Sequence, residues 1–151
     1  MSHVTDLSDP ARIVLRRRIE WIDTDAAGIY HWTTAFRLAE AAEAALHTAL
    51  GIADQTFGVT PRVGVTAEFK RPLRFNDPVQ VELAVDALGR SSVRYSLAIT
   101  GPEGLAVAGH LTACLIDAAS GRATPWPDDL RSRLAAGGAS GPVFADGDGD
   151  A

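Results

Sequence analysis

Two aspartates and a glycine lie close together in the segment WIDTDAAGIYHW, residues 21–32. Asp25 sits among small residues, and a helix-like segment follows directly. A carboxylate can attack a carbonyl carbon or activate a water against it, and free N–H groups at a helix N-terminus can stabilise the resulting oxyanion. Gly28 would let the backbone turn sharply and approach a substrate. The segment can therefore hold a carboxylate and an oxyanion hole around one carbonyl carbon, although such residues are also common in plain turns.

Other polar residues carry weaker signals. Asp23 is interpreted as a turn former or a supporting hydrogen-bond partner of the same segment. His31 is expected to be partly buried with a hydrogen bond rather than to act chemically. His47 and His110 have no second ligand at metal spacing, so we predict no metal site. The single cysteine, Cys114, excludes an intramolecular disulfide and a cysteine-based metal cluster.

One strand and one long helix surround this segment. Alternation in RIVLRRRIEWI (residues 12–22) predicts a half-buried strand, with Arg17 out of place on its apolar face. The segment TTAFRLAEAAEAALHTAL (residues 33–50) predicts a helix, with Thr33 or Thr34 as its N-cap and Gly51 after its last turn. The helix has a mostly alanine face, which predicts a sheet packed close to its axis.

Four strand-like segments follow the helix, joined by short turns. They cover residues 63–75, 79–88, 92–100 and 105–117, and Pro72 interrupts the first. One strand, a long helix and four antiparallel strands predict an α+β domain with a five-stranded antiparallel sheet. A single helix leaves such a sheet partly uncovered, so we expect pairing with a second copy.

The composition of the whole chain narrows the class of protein. Its 151 residues suggest one domain, and its net charge of −5 makes nucleic acid an unexpected partner. No apolar run approaches 18 residues, and the first residues lack the apolar segment of a signal peptide, so we expect no membrane span and a cytoplasmic protein. We divide the chain into an N-terminal extension (1–11), the folded domain (12–134) and a Gly-, Ala- and Asp-rich disordered tail (135–151).

Two motifs in a fixed order carry a family resemblance. The D-x-D-x-x-G turn before the helix is followed by an F-x-x-P-x-x-x-x-D segment, Phe69 to Asp77, and later by the turn in LGRSSVRYS. Together they resemble the hotdog-fold acyl-CoA thioesterases, specifically the 4-hydroxybenzoyl-CoA thioesterase type, over roughly residues 12 to 118. The resemblance implies a sheet wrapped around one long central helix, active sites at a dimer interface, and dimers that commonly pair into tetramers. It implies no cofactor.

The resemblance also implies roles for individual residues. Asp25 corresponds to the catalytic carboxylate, acting as nucleophile or general base, and Gly28 belongs to the same motif. The backbone N–H of Trp32, or of its neighbour Thr33, corresponds to the donor that holds the thioester carbonyl oxygen. Glu40 matches an acidic residue that often faces the acyl pocket. Relatives that use a histidine place it one residue later than His31, so His31 is assigned to substrate binding.

The phosphates of coenzyme A need donors, and two basic segments are candidates. Arg90 and Ser92 match a basic, Ser-containing turn of the relatives, whereas Lys70, Arg71 and Arg74 form a second basic stretch. Thr60 belongs to a segment, residues 60–64, that is expected to reach the acyl pocket of the partner subunit. A solvated surface is the alternative for the residues of the two basic segments.

Three functions remain open from the sequence. The first is an acyl-CoA thioesterase that releases a free acid and coenzyme A. The second is a thioesterase with the same fold that acts on an acyl-carrier protein of a biosynthetic pathway. The third is a non-catalytic acyl-CoA binding protein. The acyl group is left open, and so is the choice between dimer and tetramer.

Overall fold

The computed structural model describes residues 6–144, which form one sheet with helices on its inner face. In chain order the elements are β1 (Arg12–Arg18), a 3-10 turn (Trp21–Asp23), α1 (Thr34–Ala49), α2 (Ala53–Thr56), β2 (Arg62–Phe69), β3 (Pro78–Leu88), β4 (Ser92–Gly101), β5 (Gly104–Cys114), α3 (Asp128–Ala136) and β6 (Ala139–Phe144). The described residues give a six-stranded sheet in the order β2-β5-β4-β3-β1-β6. The β1–β6 pair is parallel, and the other pairs are antiparallel.

The central helix α1 packs its alanine face against the inner face of the sheet, as predicted. Ala35, Ala39 and Ala42 are fully buried, and Leu46 is buried beside them. Alternate residues of the strands cover the opposite side of this core, including Val81, Leu83, Val93, Leu97, Ile99 and Leu111. The α+β class with one long central helix is therefore confirmed. No helix within residues 6–144 is both long and apolar enough to cross a membrane.

The first strand is shorter than predicted. It ends at Arg18, and Trp21 lies in the 3-10 turn with 76% of its surface exposed. The turn forms because the Asp23 carboxylate accepts the N–H of Glu20 at 2.7 Å, which bends the backbone out of the sheet. Thr33 takes the predicted N-cap position, but its side chain makes no capping hydrogen bond to the helix.

The end of the chain is more ordered than predicted. Residues 135–144, assigned to a disordered tail, contain the end of α3 and the strand β6, so the predicted five-stranded sheet has a sixth strand. Local sequence patterns did not predict this strand, because it forms by parallel pairing with the distant β1. Gly141 has a φ of +93° and passes so near β1 that an added Cβ would lie 2.7 Å from the Val14 carbonyl oxygen. Residues 145–151 lie outside the described residues, and the division into domains stays a prediction.

The strand β2 forms one edge of the sheet and is exposed on both faces. Its apolar side chains Val63, Val65 and Phe69 are 64%, 45% and 46% exposed. An edge strand with apolar side chains and unpaired backbone groups is a ready surface for pairing with another chain. This exposed edge lies beside the segment that carries the candidate site, because Phe69 contacts Tyr30 with a ring separation of 6.4 Å.

Candidate active site

The loop between β1 and α1 is a tight hairpin that carries Asp25 at its tip. Thr24 and Tyr30 pair as an isolated antiparallel bridge. Inside it, the N–H of Asp25 donates to the Ile29 carbonyl at 2.8 Å, and the N–H of Gly28 donates to the Asp25 carbonyl at 3.0 Å. Gly28 has a φ of +80°, a conformation that side chains with a Cβ rarely adopt. The glycine of the motif is therefore needed for the turn.

The Asp25 carboxylate is partly used and partly free. Its Oδ1 accepts the N–H of Ala27 at 2.8 Å, which fixes the side chain against its own turn. Its Oδ2 accepts no hydrogen bond from residues 6–144. The side chain is exposed in the single chain. An oriented carboxylate with one free oxygen is suited to attack a carbonyl carbon or to take a proton from water.

Backbone N–H groups at the start of α1 differ in what they bind. The N–H of His31 donates to the Asp23 carbonyl at 2.6 Å, and the N–H of Thr34 donates to the His31 carbonyl at 2.9 Å. The N–H of Thr33 makes a long contact of 3.3 Å to the ring Nδ1 of His31. The N–H of Trp32 meets no acceptor in the part of the chain that the structure describes. Of the two predicted oxyanion donors, Trp32 is therefore the one left free for a ligand.

Asp23 anchors this hairpin to both neighbouring elements. The side chain is only 3% exposed, and its carboxylate accepts the Glu20 N–H and forms an ion pair with the guanidinium of Arg37. Its backbone carbonyl accepts the His31 N–H and, at 3.2 Å, the hydroxyl of Thr34. Arg37 was not predicted from the sequence. The available signal was that it is the only Lys or Arg in the helical segment 33–50.

Several aromatic side chains around the hairpin, Trp32 among them, are open to solvent in the single chain, whereas Tyr30 is not. Trp32 is 58% exposed, stacks on His31 at 5.9 Å and meets Phe36 edge-on at 5.6 Å. The ring Nδ1 of His31 lies 2.7 Å from the Thr33 hydroxyl, so His31 is hydrogen-bonded but exposed rather than partly buried. Tyr30 is buried, and desolvation raises the pKa of its hydroxyl. The surroundings of the hairpin are thus apolar but uncovered.

The predicted binding residues divide into two groups in space. Asp25, Gly28, His31, Trp32 and Thr33 lie together on the hairpin and the start of α1. Glu40 is exposed on α1, about 9 Å further along the helix axis than Thr34, the first residue of the helix.

Thr60, Arg90 and Ser92 lie at the other end of the sheet. The strand β3 starts beside the hairpin, where Asp77 accepts the Ile19 N–H, and runs about 33 Å before it reaches the turn of Arg90 and Ser92. Ser92 is half-buried there, and Thr60 donates its hydroxyl to the Thr56 carbonyl at 2.9 Å. One chain alone therefore does not bring these three residues to Asp25.

A buried polar network that was not predicted from the sequence lies near the other end of α1. His47 is 1% exposed; its Nδ1 lies 2.7 Å from the Thr56 hydroxyl and its Nε2 lies 2.7 Å from the Tyr95 hydroxyl. Burial, helped by the charge of Arg62, lowers the pKa of His47 from 6.5 to about 4. The ring is therefore neutral. Within residues 6–144, no group of three or more His, Cys, Asp or Glu side chains is arranged to hold a metal ion.

Known proteins match both the sequence and the fold. The thioesterase-like superfamily matches residues 18–134. A 1,4-dihydroxy-2-naphthoyl-CoA hydrolase from Synechococcus elongatus is 28% identical over 126 residues, which are 79% of this chain and 92% of that protein. The solved structure of the gentisyl-coenzyme A thioesterase BH1999 superposes with a TM-score of 0.71 at 26% identity, covering 81% of this chain and 99% of that one.

A further solved structure supports the fold alone. The 1,4-dihydroxy-2-naphthoyl-CoA thioesterase Slr0204 from Synechocystis has a TM-score of 0.72 at 17% identity, and the match covers 82% of this chain and 95% of that one. These matches confirm the predicted hotdog fold, although they do not single out the 4-hydroxybenzoyl-CoA type. This chain therefore belongs to the thioesterase-like superfamily, and its enzyme class is thioester hydrolase.

Proposed function

We propose that this protein hydrolyses an aromatic or similarly compact acyl-CoA thioester to the free acid and coenzyme A. One observation carries the proposal: the free Oδ2 of Asp25 and the free N–H of Trp32 belong to the same hairpin–helix junction. A carbonyl oxygen bound at the Trp32 N–H would have a carboxylate close to its carbon. The positive end of the α1 dipole adds to the stabilisation of the oxyanion.

Two routes use these groups, and both keep Asp25 as the key residue. In the first, Asp25 Oδ2 attacks the thioester carbon, the C–S bond breaks, coenzyme A leaves as the thiolate, and water hydrolyses the acyl–aspartyl anhydride. In the second, Asp25 takes a proton from a water that attacks the same carbon, and the tetrahedral intermediate expels the thiolate. Trp32 N–H would hold the oxyanion in either route.

The substrate class is supported by two relatives and by the chemistry of the site. The names of the Synechococcus hydrolase and of BH1999 denote coenzyme A esters of 1,4-dihydroxy-2-naphthoic and gentisic acid. Here the rings of Trp32, Phe36 and Phe69 provide flat apolar surface near the hairpin. Lys70, Arg71 and Arg74 are exposed next to it, since the Leu73 carbonyl accepts the Tyr30 N–H at 2.7 Å. These cations fit the phosphates of coenzyme A or an acidic carrier protein.

A second subunit completes the site in this proposal. The exposed edge of β2 can pair antiparallel with the β2 of another copy, and a twofold axis would then bring the far end of the partner's sheet to the hairpin end of this one. Thr60, Arg90 and Ser92 of the partner subunit would thereby reach the end where Asp25 lies. The pairing would also cover Val65 and Phe69, which are close to half exposed in the single chain.

The substitution Asp25→Asn tests the catalytic assignment. Because the amide is neither a nucleophile nor a base, kcat on aryl-CoA substrates should fall by about 10²- to 10⁴-fold. Asp54→Asn, a change at another exposed aspartate, is the matched control and should keep the wild-type rate. Rates are measured in parallel on an acyl-CoA and on the same acyl group bound to a carrier protein. The faster reaction shows which of the two thioesters is the substrate. Equal turnover by wild type and Asp25→Asn across the panel would contradict the assignment.

The substitution Val65→Lys tests the second subunit. A charge on the exposed edge of β2 should prevent pairing, so sedimentation equilibrium should give a mass of 15.9 kDa in place of a multiple of it. Activity should fall with the loss of the dimer, whereas Val14→Lys, a change on β1 away from this edge, should alter neither. A fully active monomeric wild type would exclude a shared site.

A further inference from the structure

We propose that the Asp23–Arg37 ion pair is a positioning contact, which holds the hairpin of Asp25 at a fixed distance from the N-terminus of α1. This inference rests on the proposed function, because it concerns the relative placement of the Asp25 carboxylate and the Trp32 N–H. Asp23 and Arg37 themselves touch no reacting atom in this scheme. They act through the backbone on either side.

The contacts of Asp23 join three segments at one residue. Through its carboxylate it binds the Glu20 N–H at 2.7 Å, which fixes the end of the 3-10 turn that leads into the hairpin. Through its carbonyl it binds the His31 N–H at 2.6 Å and the Thr34 hydroxyl at 3.2 Å, on the far side of the hairpin. Asp23 thus lies two residues before the candidate nucleophile and is bonded to the residue just before the candidate oxyanion donor.

Arg37 supplies the link to the helix itself. It lies in the first turn of α1, five residues after Trp32, and its guanidinium pairs with the Asp23 carboxylate. The Asp23 side chain is 3% exposed, so its charge is costly to bury without a cation beside it. The ion pair therefore favours conformations in which the hairpin keeps Asp23 against the helix. In these conformations the distance between the Asp25 carboxylate and the Trp32 N–H is fixed.

A second Asp–Arg pair in the same chain provides a matched control. Asp86 and Arg94 pair across β3 and β4 on the outer face of the sheet, with Arg94 Nη2 2.6 Å from Asp86 Oδ2. Both side chains are at least one third exposed, and neither contacts the hairpin. The pair has the same chemistry without the connection to the site.

A double-mutant cycle on Asp23→Asn and Arg37→Gln measures the effect on catalysis. Each single variant should lower kcat by about 10- to 100-fold with KM within about twofold, because misplacement of reacting groups by about 1 Å has effects of that size. The double variant should be no slower than the worse single variant, since both remove the same contact. Arg37→Lys should recover part of the loss, and Asp86→Asn with Arg94→Gln should keep the wild-type kcat.

Amide hydrogen exchange separates local positioning from a general loss of stability, and it does not depend on turnover. In Arg37→Gln, the amides of residues 24–33 that donate backbone hydrogen bonds, those of Thr24, Asp25, Gly28, Tyr30 and His31, should exchange at least about tenfold faster, while those of β3 to β5 stay as in the wild type. Uniformly faster exchange, or no change in 24–33, overturns the inference even for a protein inactive on the substrate panel. A wild type that needs Asp25 for turnover, with an Arg37→Gln variant of normal kcat, also overturns it and leaves the proposed function intact.

Discussion

The two ends of α1 hold polar groups in opposite states. At the N-terminal end, Asp25 and the Trp32 N–H are exposed, and each keeps a hydrogen-bonding atom unused within the described chain. Toward the C-terminal end, His47, Thr56 and Tyr95 are buried, and their contacts form a closed set. The Thr56 hydroxyl donates to the Ile52 carbonyl, so His47 Nδ1–H donates to Thr56 and the Tyr95 hydroxyl donates to Nε2.

This difference is what we expect if the N-terminal end is the proposed active site and the C-terminal end stabilises the fold. Buried polar groups must satisfy one another, because an unpaired group in the core costs about 1–3 kcal/mol. Groups at a binding site must keep capacity for a ligand, and this capacity is available only where solvent or a partner can replace the missing contacts. The lowered pKa of the buried His47 therefore does not make it a stronger catalytic candidate than the exposed Asp25.

The largest effect on kcat that we expect in this comparison comes from the replacement of one backbone N–H group, that of Trp32, with oxygen. An ester bond in place of the amide before Trp32 replaces its N–H with oxygen, and kcat should fall by about 100- to 1,000-fold, the usual loss for one oxyanion donor. The unfolding free energy should fall by less than about 1 kcal/mol, because this N–H has no acceptor in the described chain and the ester only weakens the His31 carbonyl that accepts the Thr34 N–H. Steady-state kinetics and thermal unfolding of the semisynthetic protein measure both.

The same replacement before His31 is the control for this experiment. The His31 N–H donates to Asp23, so its loss should lower stability by about 1 kcal/mol. If the Trp32 ester keeps the wild-type kcat, the N-terminal end of α1 is not the oxyanion hole.

A smaller effect is expected at the other end of the helix, in the pH dependence of stability. The pKa of His47 is lowered from 6.5 to about 4 in the folded chain, so the unfolded chain binds more protons between these values. The contribution of His47 to stability is therefore present above pH 6.5 and is lost as the pH falls toward 4. Between pH 7 and 5 the loss from this residue should be about 2 kcal/mol in denaturant unfolding.

His47→Gln tests this assignment against the wild type. The variant should be less stable at pH 7 but should lack this part of the slope. Glu43 has the opposite effect on the pH dependence of stability, because burial raises its pKa. This residue is present in both the wild type and His47→Gln. Parallel slopes for wild type and His47→Gln would show that His47 does not titrate as described.

Sequence patterns predicted the parts of the fold that depend on local periodicity. The helix α1 appeared within one residue at each end, since its alanine face and Gly51 are local signals. The strands β3 and β4 were predicted to within one residue at each end for the same reason. The strand β6 was missed, because its Gly- and Pro-containing segment is held by a neighbour more than 120 residues earlier in the chain. Trp21 was placed on a strand, since its alternation continues past the point where Asp23 turns the backbone.

The sequence by itself determined which groups the candidate site contains, because the carboxylate, the glycine and the helix start follow one another within a few residues. Only the tertiary structure decided which N–H stays free, that Arg37 binds Asp23, and that Arg90 and Ser92 lie at the far end of the sheet. The physical reason is the sequence separation over which each interaction acts. Turn and helix signals act over a few residues, whereas ion pairs, burial and the two ends of a strand depend on contacts that the folded chain alone creates.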